Sequence, residues 1–186
     1  MSLEHFRIHY PIWATIVFVV SIVVAHLIAP DSYDWRRNTI SDLGAQGYER
    51  NGIMRTGFLA FGVILAVGCV ISGPDWRRVP ILLYGSCVAL AGVFCTKPFS
   101  GGAAYSATHA SLHSAFAQAA GVLFSVGLVL HIVFASTARE RFIHAAFLVG
   151  VIGLSAAFGS SGAYPGVMQR LLYLLSFIWL VRWYRP

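Results

Sequence analysis

Charge is what this chain has least of. Only 11% of its 186 residues are Asp, Glu, Lys or Arg, under half of the roughly one quarter found in a soluble domain. So few charges cannot cover a surface that faces water on all sides. Cysteine is limited to Cys69, Cys87 and Cys95. The number is odd, none forms a C-x-x-C pair, and all lie in apolar runs. A disulfide or zinc framework is not supported, and the thiols read as small core side chains. The chain has no G-x-x-x-x-G-K-[ST] phosphate loop, no G-x-G-x-x-G turn and no C-x-x-C-H haem attachment. The stretch "GSSGAYPG", 159–166, only mimics a nucleophile elbow, because its glycine spacing is not G-x-S-x-G.

Long apolar runs fill the space that charge leaves. Hydrophobic residues make up 58% of the chain. About twenty apolar residues cross a bilayer as a helix, and six segments qualify: 11–29, 52–72, 79–96, 110–135, 143–161 and 167–183. Backbone groups in lipid must be satisfied internally, which leaves helices as the spanning form. The sequence therefore predicts an all-α, polytopic bundle of six transmembrane helices in one domain over 1–186. The first run exceeds the roughly 7–15 residues of a signal-peptide core and is expected to be a retained span.

The net charge of +6 reads as topology. Arg7, Arg77, Arg78, Arg139, Arg141, Arg182 and Arg185 fall on the side of the termini, in short connections where positive charge marks the cytoplasm. Arg36, Arg37, Arg50, Arg55, Lys97 and Arg170 fall on the other side. Both termini are thus expected in the cytoplasm. Trp13, Trp76, Trp179, Trp183 and Tyr184 would lie at the inner interface, and Tyr33, Trp35 and Tyr48 at the outer. No basic stripe is interleaved with aromatics, so the expected partners are membrane lipids and not nucleic acid. Oligomeric state is not encoded in any feature of the sequence.

Residues 58–87 and 147–176 align at an offset of 89 with eight identities, among them Phe58/Phe147, Ser72/Ser161, Gly73/Gly162 and Tyr84/Tyr173. Three spans separate the copies, so the two three-helix halves would be inverted, as in many transporters. Shared membrane composition is the competing explanation.

Polar groups at membrane depth mark function by default, and here they gather at the outer ends. They are His26, Asn38, Ser41, Asp42, Arg55, His109, His113, Gln169 and Arg170. In "THASLHSAF", 108–116, His109 and His113 stand at i, i+4 on one helix face. With His26 from the first span they could ligate a metal such as zinc, with Asp42 as a further ligand or general base. Interfacial histidines bonded to backbone or water are the alternative. Haem is the weaker cofactor reading. His113 and His131 are about 27 Å apart by helical rise, so each would need its own partner, with His9 or His144 at the inner end. Arg36, Arg37 or Arg170 could hold an anionic headgroup, and Arg170 could instead snorkel or pair with Asp42. Ala115/Ala119 and Ala117/Gly121 form small-residue ridges for a neighbouring helix, and buried Gln118 needs a packing partner. Gln169, Tyr173 and Ser176 mark a polar face of the last span.

"RRNTISDLGAQG" (36–47), "THASLHSAF" and "GAYPGVMQRLLYLLSFIWL" (162–180) together resemble the six-span membrane proteins of domain-of-unknown-function family 998, over essentially the whole chain. Asn38, Ser41, Leu43 and Gly44, with His113 and Gln169–Arg170, carry the resemblance. It implies a six-span fold and a place in the cytoplasmic membrane of a bacterium or archaeon, and it lends no activity. There is a looser similarity to membrane hydrolases of the ceramidase and adiponectin-receptor type, which combine serine, aspartate and histidines around zinc. On that analogy Ser41, Asp42 and His113 would be catalytic. Three readings stand at this point: a lipid site with metal-dependent hydrolase chemistry, a small transporter or lipid-handling protein with inverted repeats, and an assembly subunit without chemistry.

Overall fold

The computed structural model describes residues 3–100, 104–160 and 164–184. Six α-helices follow one another: α1 Leu3–Leu27, α2 Asn51–Ile71, α3 Val79–Val93, α4 Ala107–Val133, α5 Ala138–Ser160 and α6 Pro165–Arg182. Short 3-10 helices at Ser41–Gly44 and Trp76–Arg78 interrupt two of the connections. Among the described residues there is no strand. The expected end of the fifth span at 161, the repeat pairs at Ser161 and Gly162, part of "GSSGAYPG", and Arg185 lie outside the described residues.

Four helices, α1, α2, α4 and α5, are long and apolar enough to cross a bilayer, as expected of an integral membrane protein. α3 has 15 residues, roughly 22 Å of helix against a hydrocarbon core of roughly 30 Å. α6 has 18 residues but carries Gln169, Arg170 and Arg182. Neither meets the measure by itself, so among the described residues there are six helices, of which four are candidate spans.

Sequence neighbours pack side by side, and α6 returns to α1. All helix-end connections therefore fall at two ends. One holds the 28–50 segment and is called here the loop end, and the other is the terminal end. Phe18 of α1 lies at the centre of the contacts, its ring 5.0 Å from Phe58 and Phe61 of α2 and 5.1 Å from Tyr173 of α6. Tyr173 thus belongs to an aromatic core. Ser176 turns its hydroxyl back to the Leu172 carbonyl of its own helix, so α6 has no polar face. Trp179 and Tyr184 are also core residues, 0% and 4% exposed, whereas Trp13 and Trp76 are exposed as interfacial residues should be. Trp179 packs against Phe124 and His131 of α4, which draws it away from the lipid boundary.

The small-residue ridge is found elsewhere than expected. A methyl group added at Gly121 would meet nothing within 4 Å, so that face of α4 has no helix against it. The close approach is between α2 and α3, where Gly62 lies against the Gly85 carbonyl and Ala89. The offset of 89 carries the end of α3, Val93, onto that of α6, Arg182. It does not carry α1 onto α4.

Candidate functional site

At the loop end the connection between α1 and α2 lies under the start of α6. Pro165 opens that helix, where a missing N–H costs nothing. Gly166 follows with its backbone against the carbonyl oxygens of Trp35, Arg36 and Asn38, where any side chain would collide. Val167 N–H donates to the Arg36 carbonyl at 3.3 Å, and Gln169 Oε1 accepts from Ile40 N–H at 2.6 Å. One turn of helix thus bonds two loop residues, Arg36 and Ile40, and lies against Trp35 and Asn38.

Arg170 completes the joint. Nη1 donates to the carbonyls of Asn38 at 3.0 Å and Gly166 at 2.8 Å. Nη2 donates to Tyr33 Oη at 2.7 Å and to His26 Nε2 at 2.8 Å. The histidine tautomer follows from its partners. His26 Nδ1 faces the Ile22 carbonyl at 3.0 Å, which can only accept, so Nδ1 carries the proton and Nε2 offers its lone pair to the guanidinium. Tyr33 passes its own proton to the Thr39 carbonyl at 2.8 Å, and burial pushes its phenol up to about 12 against the opposing pull of Arg170. Arg170 therefore neither snorkels to lipid nor pairs with Asp42. Its partners are neutral groups of α1, α6 and the loop.

Within the loop Thr39 and Asp42 cap each other. Thr39 N–H donates to Asp42 Oδ2 at 2.8 Å, and Asp42 N–H to Thr39 Oγ1 at 3.2 Å. Ser41 is buried, and its hydroxyl bonds Thr39 Oγ1 at 2.9 Å. Its partner is a hydroxyl and not an imidazole, so nothing there activates it as a nucleophile. Burial raises the Asp42 carboxyl above its ordinary value, outweighing the bonds from Thr39 and Asn38 and the nearby His113. The folded protein then holds this proton more tightly than the unfolded chain, and stability falls as pH rises through the folded value. Asp42→Asn is expected to be at least as stable as wild type at neutral pH and to lack the decline that begins above about pH 4. Thermal unfolding across a pH series measures this. A variant weaker at neutral pH but equal in acid would instead make the carboxylate anion the stabilising form.

The remaining polar candidates terminate α3. His113 Nδ1 donates to the carbonyls of Ala91 at 2.8 Å and Phe94 at 2.9 Å. Arg55 reaches those of Gly92 at 3.3 Å and Val93 at 3.4 Å. Four carbonyls that end a helix in apolar surroundings are thereby satisfied. Gln46, which sequence reasoning passed over, holds the next turn. Its Nε2 donates to the Cys95 and Ser106 carbonyls, both at 3.1 Å, and its Oε1 accepts from Ser106 N–H at 2.8 Å. Tyr33 and Gly166 were also missed. Each stands beside residues that were singled out, but its role depends on a distant partner.

The expected metal site is not assembled. His26 Nε2 is occupied by Arg170, His113 Nδ1 by α3, and His109 is exposed with its ring 5.4 Å from Phe94. Among the described residues no three His, Cys, Asp or Glu side chains gather to hold a metal. Arg36 and Arg37 are exposed, with Arg36 5.4 Å from the Trp35 ring and Arg37 3.9 Å from Asp34.

Beside this joint a groove of about 530 Å³ runs along α4, lined by Lys97, Tyr105, Ser111, Ser114, Ala115 and Gln118 among others. Gln118 is exposed there and bonds no other described residue. Compared with known families, residues 12–184 match the one described as Protein of unknown function (DUF998). No curated protein and no solved structure matches the chain.

Proposed function

The chain belongs to the DUF998 family, whose description assigns no activity, and on the geometry of its own groove we propose that it is a lipid-binding membrane protein. Gln118 carries the reading. An amide at membrane depth without a protein partner is costly unless it faces a cavity or a polar ligand. Above it, toward the loop end, Lys97 suits an anionic headgroup, Ser111 suits an ester oxygen, and Ala110 and Ala115 leave room for a chain. The loop end faces the outer leaflet in this reading, with both termini in the cytoplasm. Ser41, Asp42 and His113 belong to the loop joint and the α3 cap, so the proposal is binding without hydrolysis.

Lipid retained by detergent-purified protein, quantified by native mass spectrometry, tests it. Gln118→Leu and Lys97→Met are each expected to weaken retention about tenfold, the equivalent of one lost hydrogen bond of ~1.4 kcal/mol. Retention unchanged in both variants, or a change in oligomeric state in its place, would sink the proposal. The shared end of α3 and α6 at an offset of 89 favours a second reading, a lipid-moving protein built from related halves. Proteoliposomes in which labelled lipid changes leaflet no faster than in empty vesicles would dispose of that reading.

A further inference from the structure

At the opposite, terminal end of the bundle a separate cavity of about 250 Å³ is enclosed by the α2–α3 connection, the α4–α5 connection and the end of α6. Arg77, Arg78, His131, Glu140, His144 and Tyr184 are among its walls. It shares no residue with the groove on α4, so the two proposals stand or fall separately.

Two arginines and two carboxylates, Asp75 and Glu140, line the cavity, but they are not paired one to one. Arg77 is spent on Asp75, to which Nε and Nη2 both donate, at 3.1 and 2.8 Å. That pairing holds the Asp75 carboxyl below its usual range. Glu140 caps α5 reciprocally with Thr137: Glu140 N–H donates to Thr137 Oγ1 at 3.1 Å and Thr137 N–H to Glu140 Oε2 at 3.3 Å. Arg78 has no carboxylate among the described residues. Its Nη1 donates to the carbonyls of Ser72 at 2.6 Å and Gly73 at 2.9 Å. Its Nε–H is buried and has no partner. That donor is closed off from the cavity as well; an anionic oxygen in the cavity meets the guanidinium that lines it through its charge.

The two imidazoles narrow the choice of anion. His144 Nδ1 accepts from Trp179 Nε1–H at 3.0 Å, so in the neutral ring the proton sits on Nε2, which is a donor. His131 Nδ1 donates to the Gly127 carbonyl at 2.8 Å, which leaves Nε2 as an acceptor. The ring centroids are 5.5 Å apart. One donor and one acceptor beside a cation match an oxyanion that still carries a proton. Inorganic phosphate keeps one at neutral pH, and a monoester keeps one below its second pKa of about 6, whereas sulfate and carboxylates carry none.

We infer that this cavity binds a phosphate monoester group, with Arg78 and His144 donating to its oxygens and His131 accepting from its P–OH. Phe134 and Trp183, just past the ends of α4 and α6, line the same cavity, so the group can come from a lipid with a terminal phosphate or from a soluble phosphate.

The test uses the full chain in neutral detergent and in nanodiscs at about pH 6, where a monoester is half protonated. Inorganic phosphate is expected to raise the thermal unfolding midpoint, and sulfate to need about tenfold higher concentration for the same rise, one hydrogen bond's worth. Arg78→Gln should abolish the response, and His131→Phe, which keeps a ring against Trp179, should abolish the preference for phosphate over sulfate. A response to phosphatidic acid nanodiscs but not to phosphate assigns the lipid source, and the reverse assigns the soluble one. Wild-type protein that answers to neither overturns the inference. So does sulfate acting as well as phosphate, or a response unchanged in Arg78→Gln. Should Arg78→Gln not fold, His131→Phe alone decides: undiminished selectivity rejects the site.

Discussion

Arg170→Leu is expected to lower the unfolding midpoint by roughly 10 °C, from a loss of about 3–5 kcal/mol at roughly 2–4 °C per kcal/mol in a chain of this size. The basis is the loss of all the acceptors' donors at once. His26 Nε2, Tyr33 Oη and the Asn38 carbonyl each face the guanidinium at 2.7–3.0 Å. An unmet buried acceptor costs about 1–3 kcal/mol, although three in one network do not simply add. Arg170→Lys should recover little, because an ammonium is a point charge and cannot fork to both sides of the joint. His26→Phe is the informative companion. In the double variant the two losses should be clearly less than additive, since each removes the same bond. Additive losses, or a midpoint within roughly 2 °C of wild type in Arg170→Leu, would show that the loop is held by Gly166 and Gln169 without Arg170.

The helices were legible because lipid leaves the chain little choice. A span expected over 52–72 is α2 at Asn51–Ile71, and one over 167–183 is α6 at Pro165–Arg182. The polar cluster was legible too, in that His26, Asn38, Gln169 and Arg170 do meet. Its meaning was not, because a histidine's role depends on what both nitrogens face. The i, i+4 spacing put His109 and His113 on one side of α4, but the end of α3 covers His113 and leaves His109 exposed. The early stop of α3 was hidden for the same reason. Val93 is terminal because Arg55, His113 and Gln46, from three other segments, take up the carbonyls from Ala91 to Cys95. The terminal-end cavity draws on three separate stretches of chain, so no local motif announces it. Small residues give the least warning of all: composition is alike on α2, α3 and α4, and only packing decides which glycines have a neighbour.

That difference gives the second large effect, Gly62→Val, which is expected to abolish most of the folded, monodisperse protein or to lower its unfolding midpoint by roughly 10 °C. Burying apolar area stabilises little inside a bilayer, because lipid tails are as apolar as leucine; close packing must specify which helices adjoin. α2 and α3 meet through backbone. A Cβ at Gly62 would strike the Gly85 carbonyl and Ala89, one at Gly85 would come within 2.8 Å of the Gly62 carbonyl, and one at Gly92 within 2.8 Å of Phe58 Cβ. Helix backbone cannot swing aside as a side chain can, so the helices must separate, at the upper end of the ~1–3 kcal/mol typical of overpacking or beyond it. Separation also carries α3 away from Arg55, whose bonds to Gly92 and Val93 are already long at 3.3 and 3.4 Å. The damage should therefore reach the capped end of α3 and, through Gln46, the loop. Gly121→Ala is the control: with open space at its Cβ, it should be neutral or stabilise by up to ~1 kcal/mol through helix propensity. Equal behaviour of the two variants in thermal unfolding and size-exclusion profiles would mean that the α2–α3 contact does not specify the fold.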